Sequence, residues 1–128
     1  MPLHGSFWWN ELATNDVEGA KAFYAEVLGW TFEAMPVPPS VGSYWCAMTG
    51  DRRIGGVMGL PDQAPPGTTP YWLTYIAVDD IDASAALVAQ KGGTVMVPPF
   101  DIAGVGRMAV ISDPQGAVLA LVTSAMGD

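Results

Sequence analysis

The sequence is poor in basic residues, and it holds one cysteine and one histidine. Five Lys and Arg side chains stand against 13 Asp and Glu side chains, which gives a net charge of −8 at pH 7. This negative charge repels phosphate backbones and anionic membrane surfaces, so nucleic acid and membranes are disfavoured as partners. The single Cys46 has no second cysteine in the chain with which to form a disulfide, and it is expected to be a small buried hydrophobic residue.

The sequence also lacks a long apolar run and an opening of the signal-peptide type. No stretch approaches the roughly 20 apolar residues that a membrane-spanning helix needs. The first residues do not show a basic region followed by an apolar one. Together with the lone cysteine, these absences predict a cytoplasmic protein.

What the sequence does contain is an internal repeat. Trp8 and Asp16 return 64 positions later as Trp72 and Asp80. The 128 residues, half of them apolar, predict a single domain over 1–128 that is built from two similar modules. The modules cover about 6–60 and 70–124, with the proline-rich linker 61–69 between them. Modules this small are expected to bury a common surface, within one chain or between two, so a homodimer is predicted.

Each module is predicted to follow the order βαβββ. The first helix is expected to begin at Asn15 or Asp16, to end at Gly29, and to pack Phe23 and Tyr24 into the core. The second helix is expected to follow Asp79 or Asp80 and to end at Gly92-Gly93. The predicted strands are 6–14, 30–37, 43–49, 53–60, 71–78, 94–97, 105–112 and 117–123, with Pro38-Pro39 and Pro98-Pro99 as strand ends.

Three motifs accompany the repeat and give the chain a family resemblance. They are Ala22-Phe23-Tyr24 followed by Leu28-Gly29-Trp30, the turn Asp113-Pro114-Gln115-Gly116, and the opening Trp9-Asn10-Glu11-Leu12-Ala13-Thr14-Asn15-Asp16. With the repeat, they resemble the vicinal oxygen chelate superfamily of glyoxalase I, extradiol dioxygenases, and bleomycin- and fosfomycin-resistance proteins, and within it the small glyoxalase-like bacterial proteins. The resemblance implies an α+β fold in which tandem βαβββ modules form curled mixed sheets around a shared cavity, commonly in a dimer. It specifies the fold and not an activity.

The resemblance also implies where a metal would bind. Metal-dependent members place His, Gln or Glu at four inward positions, which correspond in this chain to Trp9, Met58, Leu73 and Ala120. None of these side chains is a ligand for zinc, iron or magnesium. We therefore expect no metal and no other cofactor.

The same positions predict an apolar, aromatic lining for the cavity. If Trp9 faces inward, strand alternation and the repeat bring Glu11, Leu73 and Tyr75 to the same side. Met58 and Ala120 are expected to join them from the last strand of each module. A small apolar or aromatic molecule is the predicted partner.

Glu11 and Arg107 are the two charged candidates for the site. A carboxylate in a strand beside Trp8 and Trp9 should be desolvated, which would make Glu11 a plausible general acid or base. Glu11 could instead be structural, in a buried ion pair with Arg107 or hydrogen-bonded to backbone. Arg107 is correspondingly either that partner or an anchor for an anionic ligand.

Three functions remain open from the sequence. The leading hypothesis is a metal-independent small-molecule-binding protein of the glyoxalase/bleomycin-resistance type, with Glu11 orienting the ligand. The second is an enzyme, a lyase or isomerase that uses Glu11 for proton transfer. The third is an interaction module whose cavity is filled by its own side chains.

Overall fold

The computed structural model describes residues 2–36, 42–62, 64–102 and 105–124. In these residues the predicted α+β class and the tandem βαβββ order are confirmed. The elements are β1 (Phe7–Thr14), α1 (Val17–Leu28), β2 (Thr31–Ala34), β3 (Tyr44–Thr49), β4 (Arg52–Gly59), β5 (Tyr71–Ala77), α2 (Ile81–Gln90), β6 (Thr94–Ile102), β7 (Gly106–Ser112) and β8 (Val118–Ser124).

The chain divides into two compact units, and the division does not fall at the linker. The first unit is Trp9–Leu73, and the second joins residues 1–8 to residues 74–128. The amino-terminal segment belongs to the second unit because it is hydrogen-bonded to the end of β5 and the residues after it. Gly5 N–H donates to the Ala77 carbonyl at 2.7 Å, and Asp79 N–H donates to His4 Nδ1 at 2.9 Å.

The sheet of the first unit has the strand order β2-β3-β4-β1. Strands β1 and β4 pair in parallel, with Glu11 beside Gly56 and Leu12 beside Val57, whereas the other pairs are antiparallel. Because successive residues point to opposite sides, this register defines two faces. The helix face carries Leu12, Val57 and Trp45, and the opposite face, here called the Glu11 face, carries Glu11, Gly56 and Met58.

Helix α1 lies on the helix face, and its ends are formed as the sequence predicts. The Asp16 side chain caps the helix by accepting from Gly19 N–H at 2.9 Å, and Gly29 ends it with a φ of 73°. Lys21 extends from the helix over the ring of Trp45, at 3.2 Å from its centroid. This contact fixes which side of the sheet the helix covers.

The prediction that Phe23 packs in the core is wrong. No residue of α1 is buried, and Phe23 is 58% exposed. The helix meets its sheet where Lys21 lies over Trp45, and the half-buried ring of Tyr24 packs against Trp30 and Trp72, while Phe23 packs edge-on against Tyr24 from outside. Helical periodicity identifies an apolar stripe but does not fix how much of that stripe the sheet can cover.

In the second unit, which holds β5 from Thr74 onward, the strand order is β5-β8-β7-β6 and the helix is better covered. Helix α2 begins at Asp80, whose side chain accepts from Ala83 N–H at 3.2 Å, and buries Ile81 and Ala85. The core cluster of this unit consists of Val78, Ile81, Ala109, Ile111 and Leu121. Apolar side chains from α2, β7 and β8 thus close the helix face of this unit.

The prediction that Pro98-Pro99 ends a strand is wrong as well. Strand β6 continues through both prolines to Ile102, and its register against β7 shifts between Val97 and Phe100. Proline cannot donate to a ladder, but β6 stands at the end of its strand order and the irregular register accommodates the missing N–H groups. The corresponding Pro38-Pro39 lies outside the described residues.

The helices are short. In the four described ranges, neither helix has the length and apolar character that crossing a membrane would require.

Candidate functional site

A chain of hydrogen bonds on the Glu11 face joins three side chains from two strands. The Trp9 indole Nε1–H donates to the hydroxyl of Tyr44 at 2.9 Å, and the Tyr44 hydroxyl donates to Glu11 Oε2 at 2.9 Å. All three residues are partly buried. The hydroxyl both accepts and donates, so it fixes the indole and the carboxylate relative to each other.

Gly56 leaves the space that the tyrosine needs. Tyr44 lies on β3 and Glu11 on β1, so the ring must cross β4 to reach the carboxylate. A Cβ built on Gly56, the register partner of Glu11, would collide with the Tyr44 hydroxyl. From the sequence, Tyr44 and Trp45 alternate in facing, so only one of them can enter the cavity, and which one remained open. The register of β3 against β4 places Tyr44 on the Glu11 face.

Two of the four positions that the resemblance assigns to metal ligands lie on this face. Trp9 offers an indole N–H that already donates to Tyr44, and Met58 offers a thioether. Neither group suits a hard or borderline divalent ion, and the remaining positions, Leu73 and Ala120, carry alkyl side chains. Within the part of the chain that the structure describes, no group of three or more His, Cys, Asp or Glu side chains is placed to hold a metal. The residues present do not fit the metal of the superfamily.

Three further predicted ligand-binding residues lie on β5 and β8. Leu73 and Tyr75 are two apart on β5 and therefore point to the same side. Tyr75 is the register partner of Ala120 on β8, and both are buried, at 7% and 0% exposure. The second unit thus brings Tyr75 and Ala120 side by side, and their role in binding a ligand stays a prediction.

Arg107 is not brought together with them. It shares the side of β7 that carries Ala109 and Ile111, which is the side that α2 covers. Its Nε and Nη2 form a bidentate pair with Asp82 of α2 at 3.1 and 3.0 Å, and Nη1 lies 3.3 Å from Asp101. The hydrogen bond from Arg107 lowers the pKa of Asp82, and the same bond raises the pKa of Arg107. Arg107 on β7 therefore links α2 and β6 through ion pairs within the second unit.

Cys46 lies on β3 with 0% exposure. Burial raises the pKa of its thiol, an effect that Arg53 opposes and Glu33 reinforces. A neutral, enclosed thiol is a poor nucleophile. The interpretation of Cys46 as a small buried hydrophobic residue is confirmed.

The fold and motifs place this chain in a known superfamily. The profile of the Glyoxalase/Bleomycin resistance protein/Dioxygenase superfamily matches residues 8–121. The chain belongs to this superfamily, and the resemblance stated from the sequence is confirmed.

Curated relatives share the family and differ in length. A candidate glyoxylase of Mycobacterium tuberculosis, CFP32, is 43% identical over 113 residues, which are 88% of this chain and 43% of that protein. The anthracycline biosynthesis protein DnrV of Streptomyces peucetius is 33% identical over 124 residues, covering 88% of this chain and 45% of that protein. The chain therefore spans less than half the length of these relatives.

Solved structures support the fold. A variant of the methylmalonyl-CoA epimerase of Streptomyces coelicolor, in complex with 2-nitronate-propionyl-CoA, superposes with a TM-score of 0.65 at 18% identity. The match covers 98% of this chain and 100% of the epimerase. At this level of identity the likeness concerns the fold alone.

Proposed function

We propose that this chain is a metal-independent small-molecule-binding protein of the glyoxalase/bleomycin-resistance type. The ligand is an apolar or aromatic molecule that lies on the Glu11 face of the first unit. The observation that supports this most directly is the hydrogen-bonded chain from Trp9 through Tyr44 to Glu11.

The chemistry of these groups indicates the class of ligand. Trp9 and Met58 supply apolar surface, and the indole ring of Trp9 favours a planar partner. Glu11 adds a carboxylate to a protein with a net charge of −8, so a neutral or cationic ligand is favoured over an anion. The name of DnrV links that relative to anthracycline biosynthesis, and anthracyclines are planar aromatic molecules, so this compound class belongs in the screen.

The proposal of metal independence rests on donor chemistry. At the positions where relatives of this fold type hold a metal, the chain offers indole, thioether and alkyl groups. The first experiment is the metal content of the purified, untagged protein by mass spectrometry, combined with thermal unfolding with and without a chelator. We expect less than about a tenth of an equivalent of metal and an unchanged Tm, because a stoichiometric structural ion would stabilise the fold. A stoichiometric, chelator-sensitive metal would refute the proposal.

Ligand binding is tested with paired variants of the hydrogen-bonded chain. Tyr44→Phe removes the hydroxyl and Glu11→Gln removes the negative charge, both with little change of shape. Both variants should therefore fold, and both should weaken binding of a hit from an aromatic-ligand screen. The loss expected is about tenfold for each, because one hydrogen bond to a charged group contributes about 1.5 kcal/mol. Glu26→Gln on the exposed surface of α1 is the matched control and should bind normally. If both variants fail to fold, the hydrogen bonds among Trp9, Tyr44 and Glu11 have a structural role instead.

A second candidate is an enzyme that transfers protons. The observation that favours it is the 2.9 Å hydrogen bond that the Tyr44 hydroxyl donates to Glu11, since a carboxylate and a phenol in contact form an acid and base pair. The solved structures similar to this protein include a methylmalonyl-CoA epimerase. A thioester with an exchangeable α-proton is therefore a suitable test substrate. Incubation of the protein with methylmalonyl-CoA or a 2-oxoaldehyde–thiol adduct in deuterated water should then incorporate deuterium. Glu11→Gln should reduce that rate by about 100-fold or more, and the absence of incorporation would discard this candidate.

A further inference from the structure

The helix face of the first unit carries a pocket that the proposed function does not use. Five residues line it: Asn10, Trp30, Ile54, Gly55 and Trp72, and its volume is about 380 Å³. Asn10 is adjacent to Glu11 on β1 and therefore points to the opposite face of the sheet. We call this feature the aromatic pocket.

Its walls are two indole rings set at a right angle. Trp30 and Trp72 have centroids 6.1 Å apart and an interplanar angle of 85°. The two indoles are therefore in edge-to-face contact and form a corner, and Tyr24 already stacks on Trp30 and meets Trp72 edge-on, at 5.6 Å and 76°. On the pocket side of the same two indoles, a flat ligand ring can stack on one of them and meet the other edge-on, and both arrangements are favourable for aromatic rings. Two such walls favour a planar ligand over a branched aliphatic one.

Tyr24 of helix α1 holds both walls. Its ring stacks on Trp30 at 5.3 Å with an angle of 24°, and its hydroxyl accepts from Trp72 Nε1 at 3.3 Å. Trp72 nevertheless remains 41% exposed, and α1 buries none of its residues. The two indole rings are thus held in position while Trp72 keeps exposed surface for a ligand. Because the rings are already ordered, less side-chain entropy is lost on binding.

The rest of the lining indicates the charge and size of the ligand. Gly55 contributes no side chain, so part of the lining is backbone, and a Cβ there would lie 2.7 Å from the Asn10 carbonyl oxygen. Asn10 is the polar residue among the five, and none of them is charged. The volume is near the lower end of the range of about 300–1,000 Å³ for ligand pockets, which suits a ligand of about two or three fused rings.

We propose that the aromatic pocket is a second small-molecule site, on the opposite face of the first-unit sheet from Glu11, and that it binds flat, uncharged aromatic ring systems. The site is independent of the ligand proposed for the Glu11 face. The excess of negative charge on the chain further disfavours an anionic ligand.

Indole ¹⁵N–¹H NMR separates the two faces in one experiment. The five tryptophans include Trp30 and Trp72 in the aromatic pocket, Trp9 on the Glu11 face, and Trp45 beneath Lys21. The probe is 1-aminoanthracene, which is neutral at pH 7, and anthracene-2-sulfonate is its anionic counterpart. We expect the Trp30 and Trp72 signals to shift together and saturate with one Kd, Trp45 to stay in place, and the sulfonate to bind at least about tenfold more weakly.

Variants assign the effect to the pocket. Trp72→Leu keeps apolar bulk and removes one wall, and it should weaken the neutral probe by about tenfold or more. Tyr71→Leu removes the neighbouring exposed aromatic, which does not line the pocket, and should bind as the parent protein does. Glu11→Gln should also bind normally, so failure of this proposal and failure of the proposed function give different results.

Several outcomes would overturn the proposal. They are a shift of Trp9 alone, unaltered binding by Trp72→Leu, and Trp30 and Trp72 signals that change with protein concentration in the absence of probe. The last result would assign the pocket to contact with a second copy of the chain. If Trp72→Leu does not fold, the parent protein's indole shifts decide the question, with Ile54→Phe as a variant that fills the pocket and should abolish the shifts.

Discussion

At the scale of single residues, the site depends on where one hydroxyl lies. Tyr44 joins Trp9 to Glu11 and so converts two isolated side chains into one arrangement. Its position depends in turn on a glycine in the neighbouring strand. The two adjacent glycines of β4, Gly55 and Gly56, therefore have different roles, because their missing side chains face opposite sides of the sheet.

Gly56→Ala should disturb the site more than the fold. Its Cβ would meet the end of the Tyr44 side chain, which can rotate away, so the stability cost should be about 1 kcal/mol while the hydrogen bonds to Trp9 and Glu11 are lost. The Trp9 indole N–H signal reports this loss without a ligand. Gly55→Ala is the matched control: its Cβ would lie 2.7 Å from the Asn10 backbone oxygen, so it should cost about 2 kcal/mol by chemical denaturation.

A double-mutant cycle decides whether the effect of Gly56→Ala on stability arises from its clash with Tyr44. In a Tyr44→Ala background, Gly56→Ala should lose most of its effect, because the atom that it would meet is gone. An undiminished effect would mean that Gly56 is needed for the backbone of β4 rather than for Tyr44.

At the scale of elements, the two helices are attached to their sheets in different ways. Helix α2 buries Ile81 and Ala85 and is tied to β7 by the bidentate pair between Asp82 and Arg107. Helix α1 buries no residue, meets its sheet through Lys21, and packs Tyr24 against Trp72. The repeat therefore reproduced the order of elements without reproducing the way they pack.

The tie between α2 and β7 predicts a dependence of stability on pH. Because the Arg107 hydrogen bond lowers the pKa of Asp82 in the folded state, the pair stabilises the fold above the unfolded-state pKa of about 3.9 and is lost as the pH falls through the lower, folded value. Asp82→Asn should lower Tm at pH 7, and the difference from the parent protein should shrink as the pH is lowered below about 3.9. Both side chains are partly exposed, so the effect should be modest and should shrink at high salt.

Glu26→Gln is the control for this series, since it removes a carboxylate from an exposed position of α1. It should not reproduce the pH-dependent difference. An Asp82→Asn variant whose Tm differs equally at pH 7 and pH 2 would mean that the side chain acts through packing rather than through charge.

At the scale of the whole molecule, the excess of acidic residues should oppose folding. A net charge of −8 implies self-repulsion, which salt screens over a Debye length of about 10 Å at 0.1 M. We therefore expect Tm to rise when NaCl is increased from about 0.01 to about 0.5 M. MgCl₂ at equal ionic strength is the comparison: an excess stabilisation would indicate a bound divalent ion and would count against the metal-independent proposal.

The sequence by itself determined the fold class and several local features. Sequence patterns alone predicted the repeat of 64 positions, the helix caps at Asp16 and Asp80, and the glycine at the end of α1. They could do so because helix caps and periodicity are local properties of the chain. Alternation along β1 likewise separated Glu11 from Asn10 correctly.

Only the tertiary structure decided the features that depend on partners distant in sequence. The face chosen by Tyr44 follows from the register of β3 against β4, and the path of β6 through Pro98-Pro99 follows from its place at the end of the strand order. The exposure of Phe23 follows from how α1 rests on the sheet, and the role of Arg107 follows from the nearness of Asp82 on α2. Local sequence states what a segment prefers, whereas register and packing select among those preferences through contacts that no short window contains.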